Sequence, residues 1–420
     1  MFMIPMVFTT GGIENKDCLY FSVSIRFLCI LRLFHETNLR LSACICGFNS
    51  DSRSKQRVVS MSGKKVAVAM SGGVDSSVAA LLLKQAGYEV IGITMQIWSR
   101  VDHDGRACGS LSAIDDAQRV AGHLNLAHYV VDFRDEFEEK VVDYFCQEYR
   151  RGRTPNPCIR CNRCIKFGLL REKARALGAE YLATGHYARI QKDSVSGLYR
   201  LVTAVDENKD QTYFLYRLNQ QQLGQTLFPL GSYHKAEVRL MAEEAGLPVA
   251  EKPESQEICF IPGGRYSDFV GERLGVGGVS GSFRYADGTY LGPHRGIHCY
   301  TIGQRKGLGL ALGHPVFVTG IDAETGTVWV GEEEELHKTS LLAVDVSYVS
   351  GFSPADPQRV RAKIRYGSPA VEAVVTPLSD DQARVDFAVL QRAITPGQAV
   401  VWYERDAVLG GGTILQAVDE

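Results

Sequence analysis

The apolar positions of this chain change rhythm twice. "KKVAVAM" is a short β-branched run, "VAALLLKQAGYEV" repeats its apolar residues at helical spacing and closes at Gly87, and "VIGITM" follows as a second strand. The same alternation continues downstream: "AIDDAQRVAGHLNL" predicts a helix, "AHYVVDF" a strand, "IKFGLLREKARALG" a helix, and "AEYLATGHYARI" a strand running into a loop. Strands alternating with helices at this spacing predict a parallel sheet covered by helices. "HKAEVRLMAEEAGLPVAEKPESQEICFI" opens as a helix and then loses its period, which marks a smaller middle region. From about Gly281 the rhythm becomes short alternating runs, such as "PVFVTGID", "GTVWVG", "RVRAKIRY" and "QARVDF", parted by Gly, Pro and Asp. These predict an all-β end domain closed into a small barrel. The expected class is α/β, with an α/β domain over 61–228, a small central domain over 229–284 and a β-barrel over 285–420.

Composition agrees with several domains, since 420 residues of which 45% are hydrophobic exceed one ordinary core. A net charge of -2 and a pI near 6.6 mean that any contact with nucleic acid comes from a local basic patch. Eleven cysteines without a regular short spacing do not form the framework of a small secreted protein, and they point to a reducing compartment, expected to be the cytoplasm if residues 1–60 are not a translated leader. The sequence has no uncharged apolar run of about 18 residues, so no membrane partner is expected. Residues 1–60 stand apart. Their apolar stretch is broken by Arg26 and Arg32, and Glu14, Asp17, Glu36 and Asp51 argue against a transit peptide. They are expected to be a mis-assigned upstream start, with Met61 opening the first domain; a translated leader would instead direct the chain to an organelle.

The chemistry begins at "SGGVDSS", Ser71 to Ser77, which follows a strand and opens a helix, so that its backbone N–H groups and hydroxyls face the place where a phosphate binds. It lacks the lysine of G-x-x-x-x-G-K-[ST] and the spacing of G-x-G-x-x-G. A second stretch, "TPNPCIRCNRCIKF", spaces Cys158, Cys161 and Cys164 three apart. Arg160, Arg163 and Lys166 surround Cys161 with the positive charge that stabilises a thiolate.

The glycine loop resembles the signature of the N-type ATP pyrophosphatases. Together with "TPNPCIRCNRCIKF", "LATGHYAR", "NKDQTYFLY", "ESQEICFI" and "YTIGQRKGLGL", in this order, the chain from about Met61 to Glu420 resembles the tRNA-specific 2-thiouridylases of the MnmA type. That resemblance implies an adenine-nucleotide α-hydrolase-like domain and attack of the wobble uridine O2 on ATP, with release of pyrophosphate and use of Mg2+. It implies that Ala69, Met70, Ser71, Gly72, Gly73, Val74, Asp75 and Ser76 line the nucleotide, with Met95 and Gly185 flanking adenine. Met95 alone reads as a core methionine. The resemblance makes Cys161 the nucleophile and Cys259 the persulfide carrier, supplied by a cysteine desulfurase with or without a relay.

Cys158 is a departure, because many members carry aspartate there. Cys158, Cys161 and Cys259 then form a candidate ligand set for a four-iron four-sulfur cluster, an alternative to the persulfide relay, with structural zinc as a third reading. Cys164 reads either as part of such a run or as a buried helix residue. Cys108 sits before a helix, and Cys146 and Cys299 read as packing residues. For tRNA, the resemblance implies that Asn156, Pro157 and Cys158 face the target base and that His186, Lys209, Asp210, Gln211, Arg365, Tyr366 and Gln398 touch the RNA. Tyr366 beside a basic strand suits stacking on a splayed base. Two other readings stay open: an adenylating pyrophosphatase acting on a small acceptor, and a non-catalytic tRNA-binding metal or iron–sulfur module.

Overall fold

Val66, Ala67 and Val68 have no exposed surface, as expected of a strand covered on both faces. They lie in β1 (Lys65–Ala69) of the computed structural model, which describes residues 63–98, 111–254, 258–261, 265–275 and 281–418. Residues 1–60, expected to be a mis-assigned start, and Cys108 lie outside the described residues. Along the chain follow β2 (Glu89–Gln96), β3 (Ala127–Asp132), β4 (Tyr181–Ala183), the hairpin β5 (Arg189–Lys192) and β6 (Tyr199–Val202), and β7 (Thr226–Leu227). Strands β1 to β4 and β7 form one sheet in the order β3-β2-β1-β4-β7, with every pairing parallel.

The alternation along β1 divides two cores. Val66 and Val68 pack with α1 (Val74–Gln85) and with Val238 and Ala242 of the helix Lys235–Glu244. Ala67 faces the other side, where Ile93 meets Phe137, Phe145, Ile165, Phe167 and Leu170. The helical chain on that side includes two π-helical stretches, Glu138–Asp143 and Asn162–Leu170.

The β-rich half is two bodies. Strands β8 (Gly281–Arg284), β9 (Tyr290–His294), β10 (Phe317–Asp322) and β11 (Thr327–Gly331) make a four-stranded sheet in the order β10-β11-β8-β9 around Phe283, Tyr300, Val318 and Val328. Strands β12 (His337–Tyr348), β13 (Gln358–Lys363), β14 (Val371–Pro377), β15 (Gln382–Arg392), β16 (Ala399–Glu404) and β17 (Ala407–Val418) run in the order β12-β15-β14-β13-β16-β17, and β17 pairs back with β12. Six strands therefore close a barrel, filled by Leu341, Val360, Val385, Trp402 and Ile414.

The start of β17 has a further neighbour. Ala407 pairs with Val202 and Val408 with Leu201 of β6, and the Thr203 N–H donates to the Asp406 carbonyl at 2.8 Å. One sheet thus runs from the barrel into the β5–β6 hairpin of the first domain. No helix among the described residues is long and apolar enough to cross a membrane.

Candidate active site

Strand order reverses beside β1, with β2 to one side and β4 to the other, and an open parallel sheet forms its ligand crevice at such a point. Here the chain leaves β1 through Met70 to Gly73 and enters α1. Gly73 caps that helix without a side-chain hydrogen bond, so the first-turn N–H groups keep the positive end of the helix for a ligand. Ser76 Oγ accepts from the Ser71 N–H at 3.1 Å and donates to the Gly73 carbonyl at 3.2 Å, and Ser77 Oγ donates to the same carbonyl at 2.8 Å.

Two glycines make the close approach possible. Gly72 has φ +68°, and a Cβ there would lie 2.3 Å from the Ala113 carbonyl oxygen. A Cβ on Gly185 would lie 2.7 Å from the Ser76 nitrogen. Lys252 Nζ fastens the turn by donating to the Gly72 carbonyl at 3.0 Å while paired with Asp116 at 2.5 Å.

The crevice is an open cleft lined by Ala69, Met70, Ser71, Asp75, Ser76, Ile93, Thr94, Met95, Lys166, Thr184, Gly185, His186 and Gln211. Gly72, Gly73 and Val74 form the turn behind the wall rather than the wall itself, and Val74 is buried in the α1 core. His186 and Gln211, expected at the RNA, open onto this same cleft. Thr94 Oγ1 donates to the Met70 carbonyl and meets His128 Nε2, both at 2.8 Å. The Thr94 hydroxyl proton is committed to Met70, so His128 Nε2 supplies the N–H of this contact, and burial holds its ring below the ordinary imidazole value.

A charge chain leads away from the loop. Asp75 Oδ1 accepts from Lys235 Nζ at 2.6 Å and from the Tyr187 hydroxyl at 2.9 Å. Lys235 also meets Glu254 at 3.2 Å, and Glu254 binds Lys209 at 2.7 Å. The hydrogen bond from Lys209 is the largest cause that keeps the Glu254 carboxyl below its usual range. Sequence reasoning missed Lys235, Tyr187 and Glu254, and it did not place Lys166 in the nucleotide cleft.

Asn156 and Pro157 start the cysteine helix. The Asn156 side-chain oxygen accepts from the Cys158 and Ile159 N–H groups at 3.1 and 3.3 Å, and Pro157 takes the first helical position, where its missing N–H costs nothing. The helix Pro157–Cys161 continues directly into the π-helical stretch, and Lys166 there reaches the cleft. Cys161 is 8% exposed within the core of Phe145 and Phe167, Cys164 and Cys259 are half-buried against the same core, and Cys158 is exposed. The described cysteines are thiols, not disulfides. Burial raises the Cys146 thiol to about 11, consistent with packing. Among the described residues, no three His, Cys, Asp or Glu side chains are grouped to hold a metal ion. The expected cluster or zinc set of Cys158, Cys161 and Cys259 is therefore not gathered as ligands: Cys158 faces solvent on the first turn while Cys161 faces the core.

The RNA candidates fall in two places. Asp210 is 7% exposed, accepting from the Ala204 N–H at 3.0 Å and the Thr212 hydroxyl at 2.7 Å, so its carboxylate shapes the loop that presents Lys209 and Gln211. Gln211 accepts from the Tyr187 N–H at 3.0 Å. Beside this loop stands barrel residue Tyr366, 39% exposed, with its ring 4.5 Å from that of Phe214; neighbouring Arg365 donates to the Arg392 carbonyl at 3.4 Å. Second, Gln398 donates to the Thr154 carbonyl and the Thr154 N–H to the Pro396 carbonyl, both at 2.8 Å, which docks the barrel against the segment preceding Asn156. Of the basic run Arg150, Arg151 and Arg153, the last two pair with buried Glu148 at 2.8 and 3.7 Å.

His186 sits between the Phe167 and Phe228 rings, each 6.0 Å away, and shares a 2.7 Å hydrogen bond with Thr184. Burial, and then the Lys166 ammonium, hold it well below the ordinary imidazole value. A histidine depressed in this way binds fewer protons folded than unfolded. Its stabilising contribution is full above about 6.5 and is lost as pH falls through the folded value. The His186 ring resonances are expected to stay flat from pH 8 to below 6 in an NMR titration; an inflection near the ordinary value of about 6.5, absent from His186→Gln, would contradict this.

Three family models match the chain: "tRNA methyl transferase HUP domain" over 64–263, "tRNA methyl transferase PRC-barrel domain" over 267–332 and "Aminomethyltransferase beta-barrel domain" over 338–414. Among curated proteins, the tRNA-specific 2-thiouridylase MnmA of Heliobacterium modesticaldum is 52% identical over 358 residues, covering 84% of this chain and 93% of that protein. The MnmA of Acetivibrio thermocellus is 51% identical over 84% of this chain and 100% of its own length. That of Moorella thermoacetica is 53% identical over 83% and 98%.

Proposed function

The chain belongs to the tRNA-specific 2-thiouridylase (MnmA) family, and on that premise we propose that it replaces the C2 oxygen of the tRNA wobble uridine with sulfur, using ATP. The domain descriptions speak of methyl transfer and the relatives' names of thiolation. Thiolation is the better guide, because the relatives match nearly end to end at about half identity whereas each domain description covers a piece.

A carbonyl oxygen leaves only when it is activated. The uridine O2 attacks the α-phosphorus of ATP; the O2–P bond forms, the bond to the β-phosphate bridge breaks, and pyrophosphate departs toward Ser71, Ser76 and the start of α1. Met95 and Gly185 flank the base. Lys166 supplies positive charge on the side where the cysteine helix meets the cleft, suited to the charge that builds on the α-phosphate. Asp75 is the acidic wall residue fit to hold a Mg2+ ion, which would neutralise phosphate charge.

Sulfur arrives as a persulfide on Cys259, loaded by a cysteine desulfurase with or without a relay. The terminal sulfur attacks C2 and AMP leaves. The Cys161 thiolate then attacks the Cys259 sulfur, which breaks the S–S bond to the nucleoside sulfur and leaves a Cys161–Cys259 disulfide for a thiol reductant to reset. Lys209, Gln211, Tyr366 and Asn156 to Cys158 serve the RNA, and Asp210 acts by folding its loop. The cytoplasm is the proposed compartment.

The observation that carries this reading is the single cleft joining the serine loop to Lys166 on the cysteine helix. Pyrophosphate release is expected to depend on tRNA carrying a wobble uridine. Release driven equally by small carboxylates or amides would mark another adenylating enzyme. No step is drawn through a cluster, because its ligands are not grouped. Iron and acid-labile sulfide are expected to be absent from active protein purified without oxygen from Met61. Cluster-level content, lost in Cys158→Ala, would move the sulfur onto iron.

A further inference from the structure

A second, small cavity lies where the cysteine helix meets the barrel, and Arg160, Arg163, Arg217, Tyr144, Asn156 and Asp345 are among the residues lining it. Three guanidinium groups face one carboxylate there, a local excess of two positive charges in a chain whose net charge is -2. Asp345 does not cancel them. It pairs with Arg163 at 3.1 Å and with Arg217 at 2.7 Å, and Arg160 is held elsewhere. Arg160 Nε donates to the Lys140 carbonyl at 3.0 Å and its guanidinium lies over the Tyr144 ring at 4.8 Å. Its terminal nitrogens make no hydrogen bond among the described residues. A guanidinium fixed by its inner nitrogen and a ring, with its outer fork open on a cavity, is preorganised for a phosphate.

We propose that this cavity is a phosphate subsite, and that its ligand is a backbone phosphate of the tRNA next to the nucleotide presented to Cys161. Arg160 and Cys161 are consecutive on one helix, with Asn156 at its start, so an anion held here fixes the strand beside the reacting base. The site rests on the tRNA reading above and adds a contact that neither the loop at Lys209 nor the barrel at Tyr366 provides.

The test uses opposite charge changes in the full chain from Met61, with tRNA affinity read by fluorescence anisotropy across a salt series. Arg160→Leu is expected to weaken binding about three- to ten-fold and to reduce the slope of log K against log salt by about one. Asp345→Asn leaves the φ of +49° to a residue type that accepts it and removes a carboxylate, so it is expected to tighten binding a few-fold. A purely structural role, with Asp345 only pinning Arg163 and Arg217 and Arg160 only holding Lys140 and Tyr144, predicts weaker binding or none of these effects in both variants and no change of slope; either result would overturn the subsite. Inorganic phosphate separates the sources. If millimolar phosphate raises the melting temperature of wild type but not of Arg160→Leu while the salt slope of tRNA binding is equal in both, the cavity takes the free ion and the backbone assignment fails. Wild-type protein that binds no tRNA would defeat the proposed function itself.

Discussion

Cys161→Ala is expected to lower formation of 2-thiouridine at least about a thousand-fold, while pyrophosphate release dependent on tRNA stays within a few-fold of wild type. The two half-reactions separate because their groups separate. The serine loop and Asp75 stand at the start of α1, and Cys161 stands on a different element, the helix starting at Pro157. Removal of one buried sulfur costs about 1 kcal/mol, as for most single core changes, so a folded and adenylating protein should remain. Mass spectrometry of nucleosides from tRNA incubated with the variant reads the result. Persistent thiolation would transfer the nucleophile to Cys158 or Cys164; loss of pyrophosphate release as well would make Cys161 part of the adenylation site.

Gly72→Ala should weaken binding of a non-hydrolysable ATP analogue by about a hundred-fold, near 2.7 kcal/mol, with Gly87→Ala as its control. Both glycines lie in the left-handed region, at φ +68° and +86°. The backbone penalty is therefore similar for both, about 1–2 kcal/mol. Their surroundings differ. A Cβ on Gly87 meets nothing within 4 Å, whereas one on Gly72 would overlap the Ala113 carbonyl of α2 (Leu111–His123). Relief requires the loop to move away from α2 or to break the Lys252 contact, and either displaces the turn proposed to hold the phosphates. Calorimetry that finds equal affinity in both variants would show that the loop does not hold the phosphates.

The loop was legible because its signals are local: a strand, two glycines and a serine-flanked helix start lie close together in the sequence. The helix predicted from Ile165 opens earlier, at Pro157, and the Asn156 side chain, read only toward the base, also caps that helix. Lys235 carried no such signal. It reads as the first residue of an amphipathic helix, and its partner Asp75 is 160 residues away, a contact created by the sheet and by nothing near it in the sequence. The acidic label of Asp210 gave no hint that it would be buried, since turn-forming and ligand-binding aspartates look alike until the loop closes. Alternation marked the strands after Gly281 but not their grouping: period two is the same in a four-stranded sheet and in a barrel, and the pairing of β12 with β17 decides which one forms.

The strand pairing between β6 and β17 bears on how the RNA is admitted. A barrel tethered by a linker can swing, and an enzyme so built closes on its substrate. Here the Leu201–Val408 and Val202–Ala407 pairs, with the barrel residues Val401, Tyr403 and Val408 sunk in the first domain's core, make that swing equivalent to local unfolding. The span between the nucleotide cleft and the barrel wall is then a fixed gauge set when the chain folds. On the proposed function, adaptation falls to the tRNA, because the protein does not adjust the span that its substrate must meet.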